Sequence, residues 1–541
     1  MNLTKRCPAL PVAALALGFA GAAGGASGRL AASEWVRPGA DGRLVYKTTE
    51  RGDRIMDFSH AGYGGGGVAL PTVPVRRTVE KPAGEGRDDT AAIQAAIDAV
   101  AAAPPGGDGF RGAVLLGPGT YTCAGTLRIS ADGVVLRGGG ARGPGRTTLK
   151  LVGTPHGAIA IAAPGGAAPD AVPPAVQTTI ADVYVPSGAS SFRVADATGF
   201  AVGDTVAIRR PVTPAWVKFM GMDDLVRDGK PQTWIRTGAV TTTERRIAAV
   251  SGDSLTLDVP LSDSFDARYL NPPGTTVVKI RPPARVSRVG VESLHIESPP
   301  QPISHSQPHF TALRLNGEDC WVRDVAINET MNSVGVNGRR ITLERVSVTR
   351  KAAHQGSSRP AEFAPNGSQV LLDRCSVTAD NVWYVATGGD KSGPIVVLNG
   401  AFLGSGRAES HQRWSTGMLY DNCRVPGGAI EMRNRGSMGS GHGWSMGWGV
   451  VWNCEAKDFL VQNPPGAMNW VIGSAGAYKT APRPFGDGPH LPQGTIDAPG
   501  TPVAPRSLYL AQLAERLGEK AVRNIGYAPD QGREQQEAGG G

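Results

Sequence analysis

An all-β solenoid, a parallel β-helix, is the fold class that three observations predict. The 541 residues include 74 glycines, and short β-rich runs outnumber helical patterns. An apolar-x-apolar-x-x-apolar-x-apolar run recurs at Val289/Val291/Leu294/Ile296, Cys320/Val322/Val325/Ile327, Ile341/Leu343/Val346/Val348 and Val370/Leu372/Cys375/Val377. The third apolar positions are 31, 21 and 29 residues apart (294 to 325, 325 to 346, 346 to 375). A strand of fixed length between loops of variable length is what stacked coils require, because each coil buries its apolar face only against its neighbours. Length alone would suggest three or more domains; these patterns favour one long core with an insertion.

The elements follow in order. Residues 1–26 read as a signal peptide: Lys5 and Arg6 precede an apolar run from Ala9 to Ala23 that ends in small residues. That run is too short to span a bilayer, and no later stretch reaches the ~18 to 20 apolar residues a membrane helix needs. The mature chain is therefore expected to be exported, to the periplasm or beyond. Net charge is +8, and +6 once Lys5 and Arg6 are removed. A mildly basic exported protein suits an acidic polysaccharide partner, although solubility alone accounts for the charge equally well. Neither nucleic acid nor a membrane span is expected, and no feature fixes the oligomeric state. Loss of Cys7 leaves five cysteines, an odd number without CxxC spacing, which argues against a disulfide scaffold or a zinc knuckle.

Residues 27–176 should form the N-terminal cap and the first coils. Asp88-Asp89-Thr90 followed by Ala92, Ile93, Ala96, Ile97 and Val100 predicts a capped amphipathic helix closing the core. Ala113–Leu116, the turn Gly117-Pro-Gly-Thr-Tyr121 and Val134-Val-Leu136 with Gly138–Gly140 follow. Residues 177–279 change texture, with Phe192-x-Val194, Gly203–Ile208 and a hairpin at Val250–Leu257, and predict a small inserted β-domain whose removal leaves the solenoid foldable. Residues 280–480 carry the main helix, with Val325, Val346, Cys375, Cys423 and Cys454 in inward ladders. Cys423 and Cys454 could approach disulfide range, but stacked free thiols fit their common orientation better. In 481–541, Leu510, Leu513 and Leu517 before Gly518 predict a helix covering the last coil, with a disordered tail from Asp530.

The chemistry concentrates between Glu409 and Gly473. Ser410–Gly417, Tyr420–Asn422, Arg433–Gly436, Gly439–Trp444 and Gln462–Pro465 are unlike the plain coils. From Arg407 to His442 five arginines and two histidines face Glu409, Asp421 and Glu431. The order of helix, strand, "GPGTY" and "VVLRGGG", with "HQRWSTG", "NRGSMGSGHGW" and "QNPPGAMNWVIG", resembles the pectate-lyase superfamily over most of the mature chain. The resemblance implies a single-stranded right-handed parallel β-helix with a small inserted β-domain and helical caps, acting on a polysaccharide.

A lyase cutting a uronic-acid polymer must neutralise a carboxylate, remove the proton beside it and protonate the leaving oxygen. Arginine suits the first task, neutral histidine the second, and tyrosine or a second histidine the third. In an extended segment His411 and Arg413 point to one face, and Arg435 and His442 lie about one coil later. These considerations select His411 as base, Arg413 and Arg435 as carboxylate clamps, and His442 or Tyr420 as acid, although Tyr420 aligns with a core position. Trp414 and Trp444 are candidates for stacking on sugars, and each has packing as its alternative. A second basic stretch with Arg350, Lys351 and His354 could extend the groove or hold the base.

No cofactor is demanded. Calcium is the one candidate that the pectate-lyase resemblance raises, yet Asp373, Asp380 and Asp390 are scattered rather than clustered. His305 and His309 have helical spacing that Pro308 disrupts, which argues against zinc. Hydrolysis is the competing chemistry: Gly441-His-Gly443 resembles a polygalacturonase motif, but its carboxylates would have to come from Asp390, Asp421 and Glu431. A non-catalytic glycan-binding β-helix is the third alternative.

Overall fold

The computed structural model describes residues 30–80, 86–164, 170–171, 176–486 and 488–529. The predicted leader and the tail from Asp530 lie outside them. Parallel strands wind into a β-helix as predicted, joined in one sheet of 28 strands. They form three ladders, because each coil contributes three short strands separated by corners. One ladder stacks Thr311–Asn328, Arg339–Glu344, Ser368–Asp373, Ser392–Leu398, Ser415–Asp421, Val450–Trp452 and Trp470–Ile472. A second stacks Val334–Val336, Ala361–Pro365, Trp383–Thr387, Arg407–Ser410, Arg424–Met432 and Glu455–Val461. The third runs through Ser347–Thr349, Ser376–Thr378 and Ala401–Leu403.

The recurring sequence pattern spans a corner between two ladders. Cys320, Ile341, Val370 and Ile395 share one register position, and Ile327, Val348, Val377 and Phe402 share another. Between them one residue per coil takes a left-handed conformation: Asp324, Arg345, Arg374, Asn399, Asn422 and Asn453, with φ from 48° to 54°. That single residue turns the chain, and its N–H donates to the next coil, as Asn399 does to the Asp421 carbonyl at 2.9 Å. Asparagine and aspartate tolerate this backbone best, while arginine carries a steric cost that the stacked hydrogen bond offsets. Val325, Val346, Cys375, Cys423 and Cys454 follow the corner and are buried in the interior core. The five described cysteines are free thiols.

The helix Thr90–Ala101 packs Ile93, Ala96, Ile97 and Val100 against the first coils. Asp88 caps it, accepting from Thr90 N–H and Oγ1 at 3.0 and 2.6 Å. Asp89 turns away to accept from Thr122 N–H at 2.8 Å, tying the helix to the first coil.

Between the coil strands Gly157–Ala162 and Val286–Ser287, the chain makes a separate antiparallel sheet. Its centre is Thr205–Pro211, hydrogen-bonded to Val240–Ser251 on one side and Thr276–Arg281 on the other. This sheet is not free-standing. Its Trp216 and Trp234 share one apolar cluster with Trp414, Trp444, Trp448 and Trp470 of the solenoid's outer face, Trp35 and Phe58 of the N-terminal segment, and Leu510 and Leu513. Removing it would uncover that seam. The helix expected around Leu510 and Leu513 is Leu508–Leu517, and it lies along the flank rather than over the last coil. Asp421 holds its start, accepting from Ser507 Oγ at 2.7 Å and Tyr509 N–H at 2.8 Å.

Candidate active site

On the second ladder Arg407–Ser410 pairs in register with Arg424–Met432, which sets Glu409 beside Glu431 in adjacent coils. Neighbouring strands lie about 4.8 Å apart. Ala408 and Ile430 point into the core, so strand alternation turns both glutamates outward. Ala386 precedes Glu409 in the same column.

Two carboxyls this close are not easily ionised together. Burial alone would raise the Glu409 carboxyl, but Arg435, His411 and Arg407 hold it below the ordinary range. Burial and the neighbouring Glu409 charge push Glu431 upward, against the opposing pull of Arg407 and Arg433. Arg407 Nη1 lies 3.0 Å from Glu431 and Arg433 Nη1 3.9 Å.

His411 follows Glu409 by two residues and returns to the same face. Its Nδ1 lies 2.8 Å from Glu409 Oε1, which also accepts from Arg435 Nη1 at 2.6 Å. Ionised Glu409 can only accept and so favours a proton on Nδ1, which leaves the Nε2 lone pair as the base, while Arg435 Nη1, which can only donate, lies 2.5 Å from Nδ1 and 3.4 Å from Nε2. Burial lowers the imidazole pKa, Glu409 partly restores it and Arg435 lowers it again; the net shift is downward, so the ring is neutral. His411 packs against Trp383 and His442, with ring centroids 4.2 and 4.7 Å away. Seventeen per cent of its side chain remains exposed.

The other predicted residues fall into two groups. Arg435 joins the cluster, but its Nη1 is committed to Glu409, to the His411 ring at Nδ1 and to the His411 carbonyl at 3.0 Å, so it is an anchor rather than a free clamp. Arg413 lies at the rim, its guanidinium bonded to Ser440 Oγ at 2.6 Å and its N–H to the His442 carbonyl at 3.0 Å. His442 is held neutral, its pKa pushed down to about 3 by burial and then by His411, Arg435 and Arg413. It cannot be an imidazolium acid near neutral pH. Tyr420 is buried in the interior core, its hydroxyl without a hydrogen-bond partner. Strand alternation turned it inward, which removes it as an acid.

Trp414 and Trp444 are buried beneath the antiparallel sheet, Trp414 donating to Asp263 at 3.0 Å and Trp444 to the Met220 carbonyl at 3.0 Å. They are structural, not sugar platforms. Arg350 is buried and donates to the Gln301 carbonyl at 3.2 Å, so it too is structural. Lys351 is exposed at a coil edge. His354 is buried, its pKa lowered by burial and by Arg350, His305 and Arg359. Arg359 in turn feels Arg407, Glu409, Glu431 and Arg435, which continues the basic wall into the site.

Glu409 was not selected from sequence as a site residue, and Glu431 entered only as one of three carboxylates for the hydrolytic alternative. Their signal was a separation of 22 residues, one coil, at matching strand positions. The Gly441-His-Gly443 motif has a packing explanation. A Cβ on Gly441 would meet the Thr233 carbonyl oxygen at 2.7 Å, and one on Gly443 would meet Trp234 Cδ1 at 2.3 Å. Trp234 also donates to the Trp444 carbonyl at 3.1 Å. The antiparallel sheet therefore buttresses the loop that carries Ser440 and His442.

Among the described residues no group of three or more histidine, cysteine, aspartate or glutamate side chains is placed to hold a metal ion. Asp373 is engaged by Arg374 and Tyr527, and Asp380 by Ser405. The carboxylates do not fit a calcium site. Asp421 lies under the Leu508–Leu517 helix, which removes it as a partner of Glu431.

No protein-family profile matches the sequence, and no curated protein matches it. Solved structures resemble it at low identity. The Gp54 tailspike of Acinetobacter baumannii bacteriophage AP22, solved with capsular saccharide, is 11% identical over 73% of this chain, with TM-score 0.34. The match spans 61% of that tailspike's own length. The tailspike gp49 of Pseudomonas phage LKA1 is 15% identical, covering 75% of this chain and 70% of its own, with TM-score 0.34. The A-module of the Azotobacter vinelandii mannuronan C-5 epimerase AlgE4 is 13% identical, covering 72% of each chain, with TM-score 0.31. These are likenesses of fold.

Proposed function

We propose that this chain is an exported polysaccharide lyase that cleaves an acidic, uronate-containing polysaccharide by β-elimination. One observation carries the reading: a neutral histidine, oriented by a buried glutamate through Nδ1, on an outward face rich in arginine. Proton abstraction beside a carboxylate needs a neutral base with a lone pair to offer, and Glu409, as the acceptor of an Nδ1 proton, directs that lone pair of His411 to Nε2. His411 Nε2 takes the C5 proton. The developing negative charge falls on the substrate carboxylate, where Arg407, 39% exposed, and the rim residue Arg413 are available to receive it. Arg359, Arg407, Arg413, Arg433 and Arg435 outnumber Glu409 and Glu431, leaving the positive excess that an anionic glycan would balance.

Stacked Glu409 and Glu431 favour a second reading, glycoside hydrolysis, since retaining enzymes hold two carboxyls about 5 Å apart. The commitment of Glu409 to His411 and Arg435 weighs against a nucleophilic role. A screen of acidic polysaccharides, read by ultraviolet absorbance of unsaturated uronate and by reducing ends, tests the proposal. Elimination gives both signals and hydrolysis gives reducing ends alone. Binding without cleavage would make this a glycan-binding protein. Export rests on Lys5, Arg6 and the apolar run after them, and N-terminal sequencing of the mature protein should begin near residue 27.

A further inference from the structure

Abstraction of a proton leaves the reaction half described, because the departing sugar oxygen must also be protonated or stabilised. Neither sequence candidate can do this: Tyr420 points into the core and His442 is neutral. A further proton carrier stands on the outward face beside Glu409. Glu431 occupies the position equivalent to Glu409 one coil on. Glu409 is tied by His411 and Arg435, whereas Glu431 has Arg407 Nη1 at 3.0 Å and Arg433 Nη1 at 3.9 Å. The charged groups around Glu431 are Glu409, Arg407, Arg433, Arg435 and Arg359. Arginine forks bind anions and cannot supply a proton.

We propose that Glu431 is the catalytic acid of this site, delivering its proton to the glycosidic oxygen that leaves. The inference rests on the site's being one that cleaves glycosidic bonds. In the elimination, His411 Nε2 accepts the C5 proton, that C–H electron pair becomes the C4=C5 double bond, and the C4–O bond breaks. The oxygen takes the Glu431 proton and leaves as a hydroxyl. The imidazolium and carboxylate that result return to their starting states by proton exchange with water. Stacking explains the division of labour: the ionised Glu409 favours a proton on its neighbour, as expected for two carboxyls whose surroundings separate their ionisation.

The experiment compares full-length wild type with Glu431→Gln on two substrates. One is a polyuronate that the wild type cleaves, and the other a uronate bearing 4-nitrophenoxide at C4, a leaving group that needs no proton. Glutamine keeps the shape of the neutral acid, and circular dichroism and thermal unfolding check the fold. The expected result is a loss of about 100-fold or more in kcat/KM on the polyuronate, with the nitrophenoxide substrate spared to within about threefold. The alkaline limb of the polyuronate pH profile should disappear with the acid. Glu431→Asp, which retains an acid, should keep that limb at a reduced rate even if the glutamine variant folds poorly. Equal losses on both substrates, near-wild-type cleavage of both by Glu431→Gln, or an Asp variant without the limb would overturn the assignment while leaving elimination intact. A wild type that cleaves neither substrate would remove the elimination reading and this acid with it.

Discussion

The Glu409–His411 pair is where a single proton decides what the groove can do. An imidazole whose Nδ1–H is held by a carboxylate presents only Nε2 as a base. Replacing His411 by alanine should lower kcat by about 100-fold or more while changing KM little, since a base acts mainly at the transition state. Glu409→Gln should leave the ring in place but free its tautomer, so kcat falls although histidine remains. The pH profile gives the sharper reading. His411 is already shifted down by burial and Arg435, with Glu409 partly opposing. Activity should therefore persist below the ordinary histidine value of about 6.5, and removing the Glu409 charge should move the acid limb lower still. A limb that moves upward in Glu409→Gln, measured as kcat/KM against pH, would contradict this arrangement.

At the scale of elements, the loop 436–444 depends on close approach to the antiparallel sheet. Gly443 has φ +54°, and a Cβ there would meet Trp234 Cδ1 at 2.3 Å. Gly252, in the hairpin of that sheet, has the same φ of +54° with nothing within 4 Å of the Cβ position. The pair separates backbone strain from steric clash. Gly252→Ala should cost about 1 to 2 kcal/mol for the left-handed backbone alone. Gly443→Ala should cost that plus about 1 to 3 kcal/mol for overpacking. Chemical denaturation of both variants measures the difference, and equal costs would mean that Trp234 yields freely. Because Arg413 bonds Ser440 and its N–H bonds the His442 carbonyl, the Gly443 variant should also disturb catalysis, whereas the Gly252 variant should not.

Across the whole molecule, buried carboxyls join distant parts of the chain. Asp421 is pushed up to about 7 by burial, against the donors Tyr509 and Ser507, and it anchors the Leu508–Leu517 helix to the solenoid flank. Asp373, pushed up to about 6 by burial, holds Tyr527 of the same C-terminal segment. For a carboxyl raised in the folded state, the stabilising contribution is complete below the unfolded value of about 3.9 and is lost as pH rises through the folded one. Asp421→Asn keeps an acceptor for Ser507 and Tyr509 but cannot ionise. Thermal unfolding at pH 5 and pH 8 should therefore show the variant gaining on the wild type at the higher pH. A difference in Tm that stays constant between the two would show that Asp421 does not titrate in this range.

The repeated apolar pattern was enough to specify the solenoid because each strand's alternation and each corner are local. Val322, Leu343 and Leu372 share a register position and point inward, as their spacing implied. His411 and Arg435 were legible as a concentration of charge, and they do meet. The tertiary structure decided which face each outward-rich segment presented. Tyr420, Trp414, Trp444 and Arg350 are polar or aromatic residues in or near the charge-rich segments, and only packing against the core, the antiparallel sheet or a loop carbonyl showed them to be structural. The pairing of Glu409 with Glu431 was hidden for the opposite reason. They lie 22 residues apart in sequence, and a coil of irregular length becomes a stacked pair only when the hydrogen-bond register between strands is fixed. The alternation that turns a side chain outward is written in one strand, but which side chains it places together depends on the loops between coils.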